Sequence, residues 1–350
     1  LNLWKKQWLQ PRSAFGTSFA ALLGGGQAMT NATASFDRIL VPTDFSGFSS
    51  QALRHAIALA RKFDSRLKVV HVIQGFYPMG DAMLAAAPPV EGRKMAETDA
   101  HAFMAPARDA GIDYDLEIRE GVPWREILAA AAELPADLVV MGTHGRGGAE
   151  RFLLGSVAEK LSHRLPCPVM TVCHAEGPAF EAPSLIARIL CATDFSENSE
   201  RACRFSLALA ASLGARVTLL HSIDHLPDLG AARYRMVVPD VGPLLKELER
   251  AASERLSRAV DALRREFVDV DVTTQLGAGP AYKEIIRVAA DERADLIVIG
   301  AQGHGMLEHL LSGSNAQKVI RSANCAVLTV RGQVASGKEH RQGIAPAQSR

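Results

Sequence analysis

The chain has 350 residues, enough for two domains of about 150 residues each. Its formal net charge is +1, which excludes a broad electrostatic surface for nucleic acid or anionic membrane, and no uncharged apolar run approaches the length of a spanning helix. With 48% apolar and 22% charged residues the composition is that of an ordinary globular protein with substantial cores. Residues 1–28 read as an upstream extension, with Lys5 and Lys6 ahead of an uncharged stretch that faintly resembles a secretory signal, and Met29 is the expected biological start. The segment 1–35 is expected to be disordered.

From residue 36 onward, short apolar runs alternate with helical periods. Ile39-Leu40-Val41 reads as a buried strand, and Ala52, His55, Ala56, Leu59 and Ala60 follow helical spacing. The run 67–73 is a second strand, a helix falls within 91–110, and 115–119 alternates like a strand with one wet face. Residues 124–133 are helical with Ile127, Leu128 and Ala131 inward; 137–141 is a buried strand, 156–164 a helix and 169–172 a last strand. The whole pattern then recurs, with an amphipathic helix over 244–267 (Leu245, Leu248, Ala252, Leu256, Ala259, Leu263). The end, 332–350, lacks an apolar period and is an expected loose tail.

The recurrence is an internal repeat. Arg-Ile-Leu-Val-Pro-Thr-Asp-Phe-Ser at 38–46 matches Arg-Ile-Leu-Cys-Ala-Thr-Asp-Phe-Ser at 188–196, an offset of 150 that carries through to His71 and His221. A second block is offset by 158: 121–127 matches 279–285, and 136–142 matches 294–300. A period this long makes each copy a domain, placed at 36–174 and 186–331. Strands alternating with helices imply right-handed crossovers and a parallel sheet covered on both faces, hence two tandem doubly wound α/β domains.

Glycines supply the functional signal. The fourth strand of copy one ends at Gly142-Thr143-His144-Gly145, and Gly155-Ser156 follows; copy two has Gly300-Ala301-Gln302-Gly303 and Gly313-Ser314 at the same spacing. Glycine at a strand's carboxyl end lets backbone N–H groups approach an anion, and the second glycine pair opens a helix whose N–H groups face the same crevice. Ser156 and Ser314 can cap those helices or donate to phosphate. Asp44 and Asp194, at the ends of the first strands, suit a ribose hydroxyl, a magnesium ion or a helix cap. Arg146 can pair with a γ-phosphate or stand in solvent, and His304 with His309 reads as surface rather than metal site. His71 and His221 read as core or crevice wall. No dinucleotide fingerprint follows either first strand, no P-loop motif occurs, and no catalytic constellation stands out.

Five cysteines, Cys167, Cys173, Cys191, Cys203 and Cys325, contain no Cys-x-x-Cys pair. They read as reduced thiols without metal, and the expected location is cytoplasmic.

These motifs resemble the universal stress protein family in its ATP-binding branch: the 39–46 run, Val70-His71-Val72, and the spaced glycines, each repeated. The resemblance implies a five-stranded parallel sheet of order 3-2-1-4-5 in each domain, with helices on both faces and ATP at the carboxyl ends of strands one and four. By match, Pro42, Thr43, Asp44 and Val72 would meet the nucleoside. Gly142, Gly145, Arg146, Gly155, Ser156 and Val157 would hold the phosphates, with magnesium as an accompanying ion. In copy two the matches are Ala192, Thr193, Asp194, Ser222, Gly300, Gly303, His304, Gly313, Ser314 and Asn315. Ala192 replaces Pro42 and Ser222 replaces Val72, which loosens the nucleoside side of the second site.

The expected function is an ATP-occupancy switch with an unidentified protein partner. The alternatives are slow hydrolysis or self-phosphorylation at Ser156 or Ser314, an adenylate-forming enzyme on a related fold, and a structural module with vestigial sites. The apolar final strands are expected to pair edge to edge as an intramolecular pseudo-dimer, and a homodimer is a further expectation. The connectors 75–89 and 224–243 are candidate lids, partner surfaces or plain linkers.

Overall fold

The computed structural model of the chain describes residues 17–18, 34–74, 90–145, 154–173, 186–223, 242–301 and 314–331. The extension apart from 17–18 and 34–35, the tail, the connectors except 242–243, Arg146, Gly303, His304, His309 and Gly313 lie outside the described residues.

Copy one contributes β1 (Arg38–Thr43), α1 (Gly47–Phe63), β2 (Arg66–Ile73), α2 (Val90–Phe103), α3 (Ala105–Asp109), β3 (Tyr114–Glu120), α4 (Pro123–Glu133), β4 (Leu138–Gly142), α5 (Ser156–Ser162) and β5 (Val169–Val172). Copy two contributes β6 (Arg188–Ala192), α6 (Glu197–Leu213), β7 (Arg216–Ile223), α7 (Gly242–Glu266), β8 (Val272–Ala278), α8 (Ala281–Asp291), β9 (Leu296–Gly300), α9 (Ser314–Ser322) and β10 (Ala326–Val330). These ten strands form one sheet of order β8-β7-β6-β9-β10-β5-β4-β1-β2-β3, and Thr17–Ser18 pairs in parallel with Ala34–Ser35 in a separate two-stranded sheet. Within each half the neighbours are parallel; the halves meet where β5 and β10 pair antiparallel, Met170 opposite Leu328. That seam covers both apolar edges.

Alternate strand residues feed two cores, one on each face, and each core continues across the seam. Ile39, Val41, Val69 and Val140 pack with α1, in one layer with Cys191, Val217 and Val298 beneath α6. Leu40, Val70, Val139 and Met141 pack with Ile127 of α4 and Leu161 of α5, in one layer with Leu190, Ile297, Val288 of α8 and Val319 of α9. Ala34 already belongs to the first core, 2% exposed, and Ser212 of α6 donates to its carbonyl at 2.8 Å. The packed chain therefore starts ahead of residue 36.

Several elements differ from expectation. The helix expected within 91–110 is two, broken at Met104, because Pro106 enters the first turn of α3 without an N–H to continue the ladder. In β3 no face is cleanly wet: residues 114–119 are all half-buried. Charged side chains cover this edge strand. Lys68 of β2, 4% exposed, binds Asp115 and reaches Glu117 at 2.7 Å, while Arg119 binds Glu117 at 2.9 Å and Glu133 at 2.7 Å. In α7 the apolar stripe buries only from Leu256 onward, and Leu248 is 41% exposed.

Helix α1 carries a titratable group inside its packed surface. Burial holds the His55 imidazole at about 4, down from 6.5. Between those values the unfolded chain takes up a proton that the folded chain refuses, so stability falls as pH drops through this window. The full loss is about 3 kcal/mol at roughly 1.4 kcal/mol per pH unit. Urea midpoints at pH 7.5 and 4.5 check this: the drop is expected to shrink by most of that amount in His55→Gln.

Candidate functional site

The loop after β1 is built identically in both copies. Thr43 Oγ1 accepts from the Phe45 N–H at 2.9 Å, and Asp44 Oδ1 accepts from the Ser46 N–H at 3.1 Å. Ser46 then caps α1 by accepting from the Ser49 N–H at 3.3 Å. In copy two Thr193 accepts from Phe195 at 3.0 Å, Asp194 from Ser196 at 3.0 Å, and Ser196 from Ser199 at 3.2 Å. The cap is therefore the serine, and the aspartate ties the turn that precedes it.

Each turn forces a phenylalanine to positive φ, 63° at Phe45 and 61° at Phe195, where a side chain other than glycine is strained. A histidine secures it. Phe45 stacks on His71 with centroids 4.3 Å apart, and His71 Nδ1 donates to the Thr43 carbonyl at 2.8 Å. His221 holds Phe195 and the Thr193 carbonyl in the same way, at 4.4 Å and 2.8 Å. A carbonyl oxygen only accepts, so Nδ1 carries the proton in both rings. His71 projects to the face opposite Val72, so it is a clasp behind the loop and not a crevice wall.

On the Val72 face a cavity of about 780 Å³ opens at the carboxyl ends of β1 and β4. It gathers Pro42, Thr43, Asp44, Val72, Gly142, Gly145, Gly155, Ser156 and Val157 from the sequence-derived set. It also takes in Gln74, Pro123, Ile127, Met141, Thr143 and His144, which the motif search did not single out as site residues. Pro123 and Ile127 fall in the second repeated block, whose recurrence in both copies was the available signal. Val72, Pro123, Ile127 and Met141 give the cavity an apolar wall. Asp44 is the one acidic side chain among its described lining residues.

The glycines serve different ends. A Cβ at Gly142 would stand 2.8 Å from Phe48 Cβ and 2.9 Å from the Phe48 carbonyl carbon, so this glycine lets α1 approach β4. A Cβ at Gly145 would fall 2.7 Å from Asp44 Oδ2, and one at Gly155 would fall 3.1 Å from the Thr143 carbonyl oxygen. These two glycines bring the β4 loop, the Asp44 carboxylate and the start of α5 together. The Gly155 N–H donates to Thr143 O at 2.8 Å, and Thr143 N–H donates to Val172 O at 3.0 Å, anchoring the loop at both ends. No side chain caps α5, and Ser156, Val157 and Ala158 line the cavity at its opening turn. His144 lies against Phe48 and contacts Thr143 Oγ1 at 3.0 Å; its Nε2 is buried without a hydrogen-bond partner among the described residues.

In copy two, Gly300 packs on Asn198 and Ser199 with a virtual Cβ 3.1 Å from their backbone. Ser222, at the position of Val72, donates to the Gly279 carbonyl at 2.8 Å. Ala192, Thr193 and Asp194 follow the first copy, Ser314 opens α9, and Asn315 is exposed on it. Among the described residues there is no cluster of three or more potential metal-ligating side chains, and no helix is long and apolar enough to cross a membrane.

Fold and site together define a tandem doubly wound α/β protein with a cavity at a topological switch point, between β1 and β4. The profile described as the Universal stress protein family matches residues 35–172 and 186–331, and the chain belongs to that family. A universal stress protein of Mycolicibacterium smegmatis is 28% identical over 300 residues, spanning 84% of this chain and 96% of the relative. One from Methanocaldococcus jannaschii is 34% identical over 146 residues, spanning 39% of this chain and 82% of the relative. The crystal structure of a universal stress protein from Archaeoglobus fulgidus shares the fold at a TM-score of 0.60 and 22% identity, covering 85% of this chain and 97% of the other.

Proposed function

We propose that the copy-one cavity binds ATP, and that copy two carries a second, looser site, so that occupancy switches the protein's shape or its choice of partner. The observation that carries this reading is the cavity itself. At about 780 Å³ it suits a nucleotide, and it combines an apolar wall with a glycine-lined rim at a switch point. The base would lie against Val72, Pro123, Ile127 and Met141, near the Val72 backbone. Asp44 would accept from a ribose hydroxyl. Backbone amides around Gly145 and Gly155–Val157, with the Ser156 hydroxyl, would receive the phosphates, and Arg146 would neutralise the terminal one.

Asp44 is the one carboxylate of the described lining, so it would serve either the ribose hydroxyl or a magnesium ion; with Asp44 on the ribose, magnesium would be held by phosphate oxygens and water. When bound it would neutralise phosphate charge. In copy two, Ser222 is committed to Gly279, which narrows what its side chain offers a base and supports the weaker assignment.

Calorimetric titration of the full chain with magnesium ATP tests the reading. Two binding events are expected, the tighter one weakened about tenfold, roughly 1.4 kcal/mol, by Asp44→Ala. A stoichiometry near zero overturns nucleotide binding; identical small-angle scattering with and without ATP overturns a switch of shape.

A further inference from the structure

The antiparallel seam holds Val169 opposite Thr329, Met170 opposite Leu328 and Thr171 opposite Val327. The Thr171 and Thr329 hydroxyls reach across it to the Val327 and Val169 carbonyls, each at 3.2 Å. Carried two positions past Thr171, this register sets Cys173, the residue after β5, opposite Cys325, the residue before β10. Directly opposed residues of antiparallel strands have α-carbons about 4.5–5.5 Å apart and side chains on one face. A disulfide spans about 4.4–6.8 Å between α-carbons. The Cys173 thiol already lies 3.7 Å from the Cys325 carbonyl oxygen.

The arrangement is one-sided. The repeat offset makes Cys167 the counterpart of Cys325 and Arg331 the counterpart of Cys173, so the opposite end of the seam sets an arginine against a cysteine. Both seam thiols are half-buried, which leaves a route for a small oxidant. Cys191 and Cys203 in the copy-two core also lie close, Sγ to Sγ 3.6 Å, but both are buried.

We propose that Cys173 and Cys325 are a redox-modification site, closing into a cross-strand disulfide that joins the two copies when a low-molecular-weight disulfide is the oxidant. The Cys173 thiolate attacks one oxidant sulfur, breaks its S–S bond and releases one small thiolate. The Cys325 thiolate then attacks the Cys173 sulfur of the mixed disulfide and releases the second. Two protein thiols are oxidised, one small disulfide is reduced to two thiols, and the two protons pass to the released thiolates. Burial pushes the Cys325 thiol up to about 12 and raises Cys173 as well, so attack is slower than at an exposed cysteine. The link forms one residue beyond the Val172 carbonyl that anchors the Thr143 amide.

Equilibration of the full chain in mixtures of oxidised and reduced glutathione, followed by acid quenching, alkylation and peptide mass mapping, tests the proposal. The Cys173–Cys325 peptide is expected as the main intramolecular product. Its effective concentration should be at least tenfold above that in urea-unfolded chain, and Cys173→Ser should remove it. The oxidised wild type should show a higher urea midpoint than the reduced form, a difference Cys173→Ser lacks. The proposal is overturned if only mixed disulfides with glutathione accumulate at the seam. It is equally overturned if Cys191–Cys203 is the main product, or if the folded chain makes no more of the link than the unfolded one.

Discussion

Gly142→Ala is expected to lower the unfolding free energy by about 3 kcal/mol, and Gly300→Ala by about 1 kcal/mol, within the range for overpacking a tight contact. A Cβ at residue 142 meets the Phe48 Cβ at 2.8 Å and its carbonyl carbon at 2.9 Å, so helix backbone must move. At Gly300 the nearest atoms, on Asn198 and Ser199, stand at 3.1 Å, and a shift of a few tenths of an ångström relieves them. Urea denaturation of the two variants checks both magnitudes and their order. If residue 142 were glycine only to admit a ligand, Gly142→Ala would denature like the wild type and lose affinity alone.

The second large effect lies at the other end of the same strands. Asp137 precedes β4, and its carboxylate accepts from the Asp37 N–H at 3.1 Å, the Arg38 N–H at 2.9 Å and the Arg38 guanidinium at 3.1 Å. It clamps the start of β4 to the start of β1. Asp295 repeats the clamp before β9, accepting from Ala187 N–H at 3.0 Å, Arg188 N–H at 2.9 Å and the Arg188 guanidinium at 3.3 Å. Asp137→Ala removes the carboxylate that two backbone N–H groups and a guanidinium share, and is expected to destabilise by about 3 kcal/mol. Asp295→Ala should do so by about 2 kcal/mol, because its guanidinium contact is longer and more exposed. The clamps sit in separate halves without shared partners, so the double variant should lose the sum. Thermal melts of the two singles and the double measure all three.

Much of this architecture was legible in the residues. Uninterrupted apolar runs such as Leu138–Gly142 mark strands covered on both faces, and the repeat gave two copies of each element. The helix starts after β1 and β6 were legible only in part: Asp44 and Asp194 were the cap candidates, whereas the serines two positions on, Ser46 and Ser196, make the caps. What escaped the sequence depends on distances between segments far apart in the chain. Spacing suggested that Gly142 served phosphate, whereas its closest neighbour is a helix 94 positions earlier. Asp137 stood in a repeated block yet read as the mere start of a strand, because its partners lie 99 and 100 residues away. The parity of β2 separates His71 from Val72, but only the observed faces tell which one meets the cavity. Pro123 and Ile127 resembled ordinary helix residues until α4 was laid along the cavity wall.

The reversal of strand direction at the β5–β10 seam has a consequence for how this protein meets other molecules. Every strand of one half points against every strand of the other, so the rims where β1 and β4 end and where β6 and β9 end look away from each other. Ligands seated at the two rims cannot touch, and a single flat surface cannot read both at once. A signal passing from one to the other must cross the middle of the molecule, through the β5–β10 ladder and the two cores that continue across it, and a partner sensing both occupancies must embrace it from two sides.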